Sequence, residues 1–186
     1  MGDVSPIIHG FNWPDRFVVG TVGRPGARMF YLQARTGTQV ISVALEKEQS
    51  AALAEQIDAL LDELMATEDN RFSVPDQTPE GLVDNGGLDQ PVEEQFRVGA
   101  MSLGWDPSTA QVVIEAAPIQ ELDPDTLEPA EPVLDETLVV RIPVGAARAF
   151  AERTREVVGA GRPLCPVCGV PMDPDGHVCE LPDELR

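Results

Sequence analysis

Hydrophobic and polar positions alternate in short runs over the first 45 residues, and turn residues separate the runs. Residues 17–22 read Phe-Val-Val-Gly-Thr-Val, rich in the β-branched side chains that suit a strand. Gly23-Arg24-Pro25-Gly26 follows as a turn, where Pro25 fixes φ and Gly26 supplies the positive φ that a side chain resists. Residues 29–33 and 40–44 predict two further strands, with Gly37 breaking the chain between them. Connections this short join neighbours in an antiparallel meander. The segment before residue 17 reads as a polar, proline-containing lead-in.

The period then changes from two to 3.6. Leu53, Ile57, Leu60, Leu61 and Leu64 recur on one face of a helix predicted over about 45–65, and Glu55, Asp58, Asp62 and Glu63 fill its other faces. Glu46 and Glu48 sit in its first turn, where the helix dipole favours acids. Residues 67–92 show neither period and hold Pro75, Pro79, Gly81, Gly86, Gly87 and Pro91, which predicts an acidic, mobile connection. Strands resume at 94–103, where Phe96, Val98 and Ala100 alternate with Arg97, Gly99 and Met101. After a turn at Asp106-Pro107-Ser108 comes a strand at 110–117 around Val112-Val113-Ile114. The four prolines of a second acidic loop, 118–135, exclude regular structure there. A sixth strand is predicted at 137–142. Pro143 then suits the first turn of a helix running to about 158, which Gly159 and Gly161 end.

The order β-β-β-α occurs twice. It predicts an α+β fold of two βββα-like halves with antiparallel sheets, followed by a short C-terminal zinc knuckle. The halves are 1–66 and 93–160 of a domain spanning 1–160, joined by the acidic linker 67–92, with a tail at 161–186. Two similar halves are expected either from duplication within one domain or from two sheets packed together.

Composition alters this picture in three places. Aromatic residues make up only 5% of the chain, so the core must rest on Val, Leu, Ile and Ala. The net charge of −19 is concentrated: residues 46–136 carry 23 acids against Lys47, Arg71 and Arg97, a net of −20, while residues 1–45 have a net of +2 and 137–163 of +3. Such a surface repels DNA and anionic membranes at long range but leaves room for a local anion site. Lysine occurs once, as Lys47, against twelve arginines, the bias of a GC-rich genome. No apolar run opens the chain, so neither a signal peptide nor a membrane span is expected, and Pro6 breaks a myristoylation motif. All three cysteines lie between 165 and 179, which leaves none for disulfides elsewhere and points to a reducing cytoplasm.

Those cysteines carry the strongest chemical signal. Cys165-Pro166-Val167-Cys168-Gly169 spaces two thiolates for one metal, and Gly169 permits the tight turn that aims amide hydrogens at sulfur. His177 and Cys179 complete a set of four: Cys165, Cys168, His177 and Cys179. Three thiolates and an imidazole predict Zn²⁺, since a rubredoxin-like iron wants a fourth cysteine. Four protein ligands leave no open position, so the ion is read as structural.

Other constellations are weaker. Gly20, Gly23 and Gly26 join two strands and open no helix, so neither the P-loop nor the dinucleotide fingerprint applies. Arg24 and Arg28 of that hairpin, with Arg148 and Arg155 of the last helix, form a speculative anion-binding set. Arg148, Arg155 and Arg162 recur at spacing seven, which the solvated side of that helix also explains. His9 reads as a structural histidine. Trp13 and Trp105 stand in Pro/Asp turns and are expected to cap the core. The acidic loops lack the spacing of a calcium loop.

Taken together, the 17–26 run, Phe30-Tyr31-Leu32-Gln33, Leu103-Gly104-Trp105-Asp106 and Ala160-Gly161-Arg162-Pro163 resemble an uncharacterised bacterial family known only as a domain of unknown function. The resemblance implies a bacterial protein with a C-terminal metal knuckle and carries no activity with it. It also implies a basic tail containing Asn-Gly-Tyr after the last cysteine, whereas here Glu180-Leu181-Pro182-Asp183-Glu184 is acidic.

The function expected from these features is that of a cytoplasmic, zinc-binding interaction or adaptor protein with a protein partner. One alternative is an enzyme or binding protein for a phosphorylated small molecule, using the clustered arginines. A nucleic-acid-binding role is disfavoured by charge.

Overall fold

The chain enters the sheet earlier than its alternation predicts. In the computed structural model, which describes residues 5–127, 135–172 and 176–179, Ile7–Asn12 form an edge strand, β1. The predicted meander follows as β2 (Arg16–Val22), β3 (Met29–Thr36) and β4 (Gln39–Leu45), with Thr21 opposite Phe30 and Phe30 opposite Leu45. Its first turn closes with Ala27 N donating to Arg24 O at 2.9 Å and with Gly26 at φ 92°, as Pro-Gly requires. Helix α1 spans Lys47–Met65. The second meander is β5 (Glu94–Asp106), β6 (Gln111–Pro118) and β7 (Glu136–Pro143), and helix α2 spans Val144–Gly159.

The two meanders share one seven-stranded mixed sheet, in the order β1-β7-β6-β5-β4-β3-β2. They meet through a short parallel contact of β4 with β5, and β1 lies parallel to β7. This order forces curvature. β1 and β2 occupy opposite ends of the sheet, yet only Trp13, Pro14 and Asp15 connect them. The chain from Asn12 to Arg16 reaches about 14 Å when fully extended, whereas a flat sheet would hold its outer strands about 29 Å apart. The sheet therefore curls until its edges meet at one corner. There Trp13 N donates to Arg141 O of β7 at 3.0 Å, and Asp15 N donates to Arg35 O of β3 at 2.8 Å.

One face of every strand contributes to a single hydrophobic cluster. Leu32, Val43, Ile114 and Val140 pack there with Leu53, Ile57 and Leu61 of α1 and Ala147, Phe150 and Ala151 of α2. Apart from four phenylalanines the buried side chains of this cluster are aliphatic, as the low aromatic content requires.

The opposite face of β2–β4 carries buried Val18, Gln33, Ser42 and Ala44, and the connection 67–92 covers it. That connection, expected to be mobile, is held at several points. Gln33 exchanges hydrogen bonds with the Asp89 backbone at 3.0 and 2.8 Å, and Leu88 fills the space left by the missing side chain of Gly20. Val74 is buried, and Phe72 meets Trp105 edge-on at 4.9 Å. Trp105 thus takes the packing role expected of it. Trp13 does not: its ring is 60% exposed and its backbone sits at φ 56° in the corner between the sheet edges.

Residues 128–134 of the second acidic loop, 173–175 of the knuckle and the acidic end 180–184 lie outside the described residues. No described helix is long and apolar enough to cross a membrane.

Candidate functional site

The chain after α2 builds a miniature hairpin. Gly169, at φ 72°, lets the backbone turn so that Gly169 N donates to Cys165 O and Cys165 N to Val170 O, both at 2.9 Å. Leu164 and Pro171 bridge its base, and Met172 N donates to Pro163 O at 2.8 Å. The turn aims the amides of Cys168 and Val167 at the Cys165 sulfur. These hydrogen bonds lower that thiol to about 6. Cys179, whose sulfur lies 3.4 Å from that of Cys165, is pushed up to about 11 by this contact.

The four predicted ligands come together. The sulfurs of Cys165, Cys168 and Cys179 and a ring nitrogen of His177 all lie within 4.8 Å of one another. His177 approaches with Nε2, 2.9 Å from the Cys168 sulfur. A tetrahedral zinc site with Zn–S bonds of about 2.3 Å has S–S edges of about 3.8 Å, so the cluster has the dimensions of a metal site. It is too open for a disulfide, whose sulfurs approach to about 2.05 Å.

The four arginines predicted as an anion site divide into two groups. Arg148 is 6% exposed and lies between the helices, donating to Asp58 at 2.8 Å, to Asp62 at 3.0 Å and to Pro75 O at 3.0 Å. Arg155 also bonds to Asp58. Both thus bond to carboxylates of α1, Arg148 buried between the helices and Arg155 54% exposed at their surface. Arg24 and Arg28 remain at the β2–β3 turn. The third residue of the stripe, Arg162, lies beyond the helix end and rests on that turn, with Nε 3.0 Å from where a Gly26 Cβ would stand. Lys47 and Arg28 flank Gly161 in the same region. Sequence reasoning missed Lys47, although a single lysine beside a helix start in so acidic a chain was a readable signal.

A cavity of about 280 Å³ lies at the corner where the sheet edges meet. Trp13, Phe17, Ile142, Pro143 and Phe150 wall it, and Phe17 stacks on Phe150 at 4.5 Å. Of its four charged members, Arg16, Asp84 and Arg153 are paired with one another, and Asp15 accepts from Gly37 N at 2.7 Å. Arg16 holds Asp84 through two bonds of 2.6 and 3.0 Å, and Arg153 donates to Val19 O, Asp84 O and Gly86 O. Arg153 thereby occupies part of the free edge of β2, which would otherwise offer its carbonyls to another strand.

Asp84 is held down to about 2, first by its hydrogen bond from Arg16. A depressed carboxyl stabilises the fold above its unfolded value and loses that contribution as pH falls from about 4 to about 2. Asp84→Asn is expected to cost of the order of 1 kcal/mol at pH 6 after solvent screening. That difference from the unmodified chain should shrink at pH 3 in urea titrations. A gap that stays constant between the two pH values would contradict the assignment.

His9 on β1 bonds to Glu136 at 2.6 Å, and Gln95 reaches the same oxygen at 2.7 Å. This ties the edge strand to β7 and fits the structural role expected of His9.

Searches of the curated proteins and of the solved structures give no significant match. A family model described as a protein of unknown function (DUF3090) matches residues 9–179, nearly the whole chain, and the protein belongs to that family.

Proposed function

We propose that the protein is a non-enzymatic interaction protein whose Cys₃His group holds one structural Zn²⁺. The carrying observation is the convergence of four protein ligand atoms within 4.8 Å. Three soft sulfurs and an imidazole select zinc among common divalent ions, and with all four engaged no position is left to activate water. The ion's work is then to close a segment too short to fold alone. A reducing cytoplasm would keep the three thiols available to it.

The corner cavity supports binding over catalysis. Its walls are mostly apolar, its two arginines are paired with Asp84, and an exposed tryptophan stands at its rim. Tryptophan is among the residues that most often anchor a protein partner. Purified chain is expected to carry one equivalent of zinc by mass spectrometry, and Cys168→Ser to carry none after dialysis. Affinity isolation at native expression should recover a protein partner, with recovery reduced at least about tenfold by Trp13→Ala at unchanged melting temperature. Zinc-free chain after refolding with the metal would remove the first half of the reading. Equal recovery by the variant would remove the second.

A further inference from the structure

We propose that the seam between the β2–β3 turn, the start of α1 and the segment after α2 binds the phosphoryl group of a small molecule. Two parts of the chain far apart in sequence bring positive charge there to a third, the glycine after α2. Gly161 has no side chain, and a Cβ built on it would lie 3.6 Å from Lys47 Nζ and 3.9 Å from Arg28 Nη2. An ammonium and a guanidinium from different elements thus flank the gap beside Gly161, where a methyl group would touch both.

The charge around this gap is exceptional for the molecule. The chain has 32 acids against 13 bases, and seven arginines (Arg16, Arg35, Arg97, Arg141, Arg148, Arg153 and Arg155) lie in ion pairs with carboxylates. Arg28 instead lies over the ring of Phe30 at 5.4 Å, and neither it nor Lys47 has a carboxylate partner among the described residues. Glu46, next to Lys47 in sequence, is held by Arg97 at 2.7 Å. Two like charges facing one gap repel each other, and an anion between them turns that repulsion into two charge-assisted hydrogen bonds. Arg162, which has interactions of its own, lies against Gly26 at the border of the site.

The surroundings indicate the class of ligand. A cavity of about 390 Å³ adjoins the gap, with Pro25, Pro163 and Met172 contributing apolar surface. A phosphomonoester with a compact apolar or ring-shaped body fits this pairing of a charged end with an apolar wall. A polyanion does not, because the net charge of −20 over residues 46–136 repels a long phosphate chain. The site differs from the predicted arginine set: it keeps Arg28, replaces Arg148 and Arg155 with Lys47, and lies away from the ion-paired interface between the helices.

Titration calorimetry on the full, zinc-loaded chain at fixed ionic strength tests this, with inorganic phosphate and phenyl phosphate as probes and chloride as the control. Saturable binding is expected in the millimolar range for phosphate and at least about threefold tighter for phenyl phosphate. Lys47→Gln, at an exposed position where folding is not at risk, should weaken both about tenfold. Gly161→Ala leaves both charges in place and fills the gap, so it should weaken phosphate binding as well, which an unspecific charge effect would not do. The proposal is overturned by a phosphate response no larger than that of chloride, or by unchanged affinity in both variants. Retention of a single-stranded oligonucleotide without a phosphate response would also overturn it, in favour of a different class of ligand.

Discussion

Arg148→Ala is expected to cost about 3–5 kcal/mol of folding stability in urea titrations, the range for breaking a buried ion pair. Arg148 is the one charged side chain set deep between α1 and α2, and its three hydrogen bonds reach Asp58, Asp62 and the Pro75 carbonyl. Truncation removes the buried partner of Asp58, whose side chain is 14% exposed, in a place where water compensates poorly. It also frees the connection at Pro75. Arg155 provides the contrast. It bonds to the same aspartate but is 54% exposed, so Arg155→Ala should cost no more than about 1 kcal/mol. Equal effects of the two substitutions would mean that burial does not set the strength of this cluster.

The second large effect is expected at Gly99. The pairing of β5 with β6 shifts register between Val98 and Ala100, and the chain leaving β6 crosses the strand at that point. A Cβ on Gly99 would lie 2.5 Å from Ile119 Cα, 2.9 Å from Ile119 N and 3.0 Å from Pro118 O. All three are backbone atoms, and Ile119 N is also bonded to Arg97 O at 2.9 Å. Nothing there can swing aside. Gly99→Ala should therefore cost about 3 kcal/mol, at the upper end for overpacking. Gly20→Ala meets the end of the Leu88 side chain at a similar distance, but that side chain has other rotamers. Its cost should stay near 1 kcal/mol. Thermal unfolding of the two variants side by side measures the difference, and a Gly99 variant as stable as the Gly20 variant would refute the backbone argument.

Six of the seven described strands and both α-helices were legible in the sequence. The helices and β5–β7 carry a period of 3.6 or 2, and β2–β4, buried on both faces, show short β-branched runs between turn residues. β1 was not. Its two isoleucines are adjacent and both exposed, Gly10 favours no strand, and only Phe11 is buried. An edge strand paired on one side leaves little alternation to read. The metal group was legible because its ligands are local, within fifteen residues, and of rare type. The partners of the arginines were illegible for the opposite reason. Arg16 meets Asp84 across 68 positions and Arg148 meets Asp58 across 90, and no local pattern encodes which acid a base will find. The same blindness hid the packing of residues 67–92, whose anchors Gln33 and Arg153 lie in other elements. Trp13 was expected to cap the core from its Pro/Asp turn, but a left-handed corner between two sheet edges leaves it exposed.

The link between β1 and β7 has a consequence for how the chain is made. β1 leaves the ribosome first among the strands, yet His9 and Glu136, which fasten it, are 127 residues apart. At about 5–20 residues per second, synthesis leaves Ile7–Asn12 without its partner strand for at least several seconds. During that interval an uncharged segment bearing two isoleucines and a phenylalanine faces the cell with a full row of unpaired backbone groups. The corner at Trp13 cannot close until almost everything else exists. The fold is thus sealed at its beginning by one of the last strands to be made.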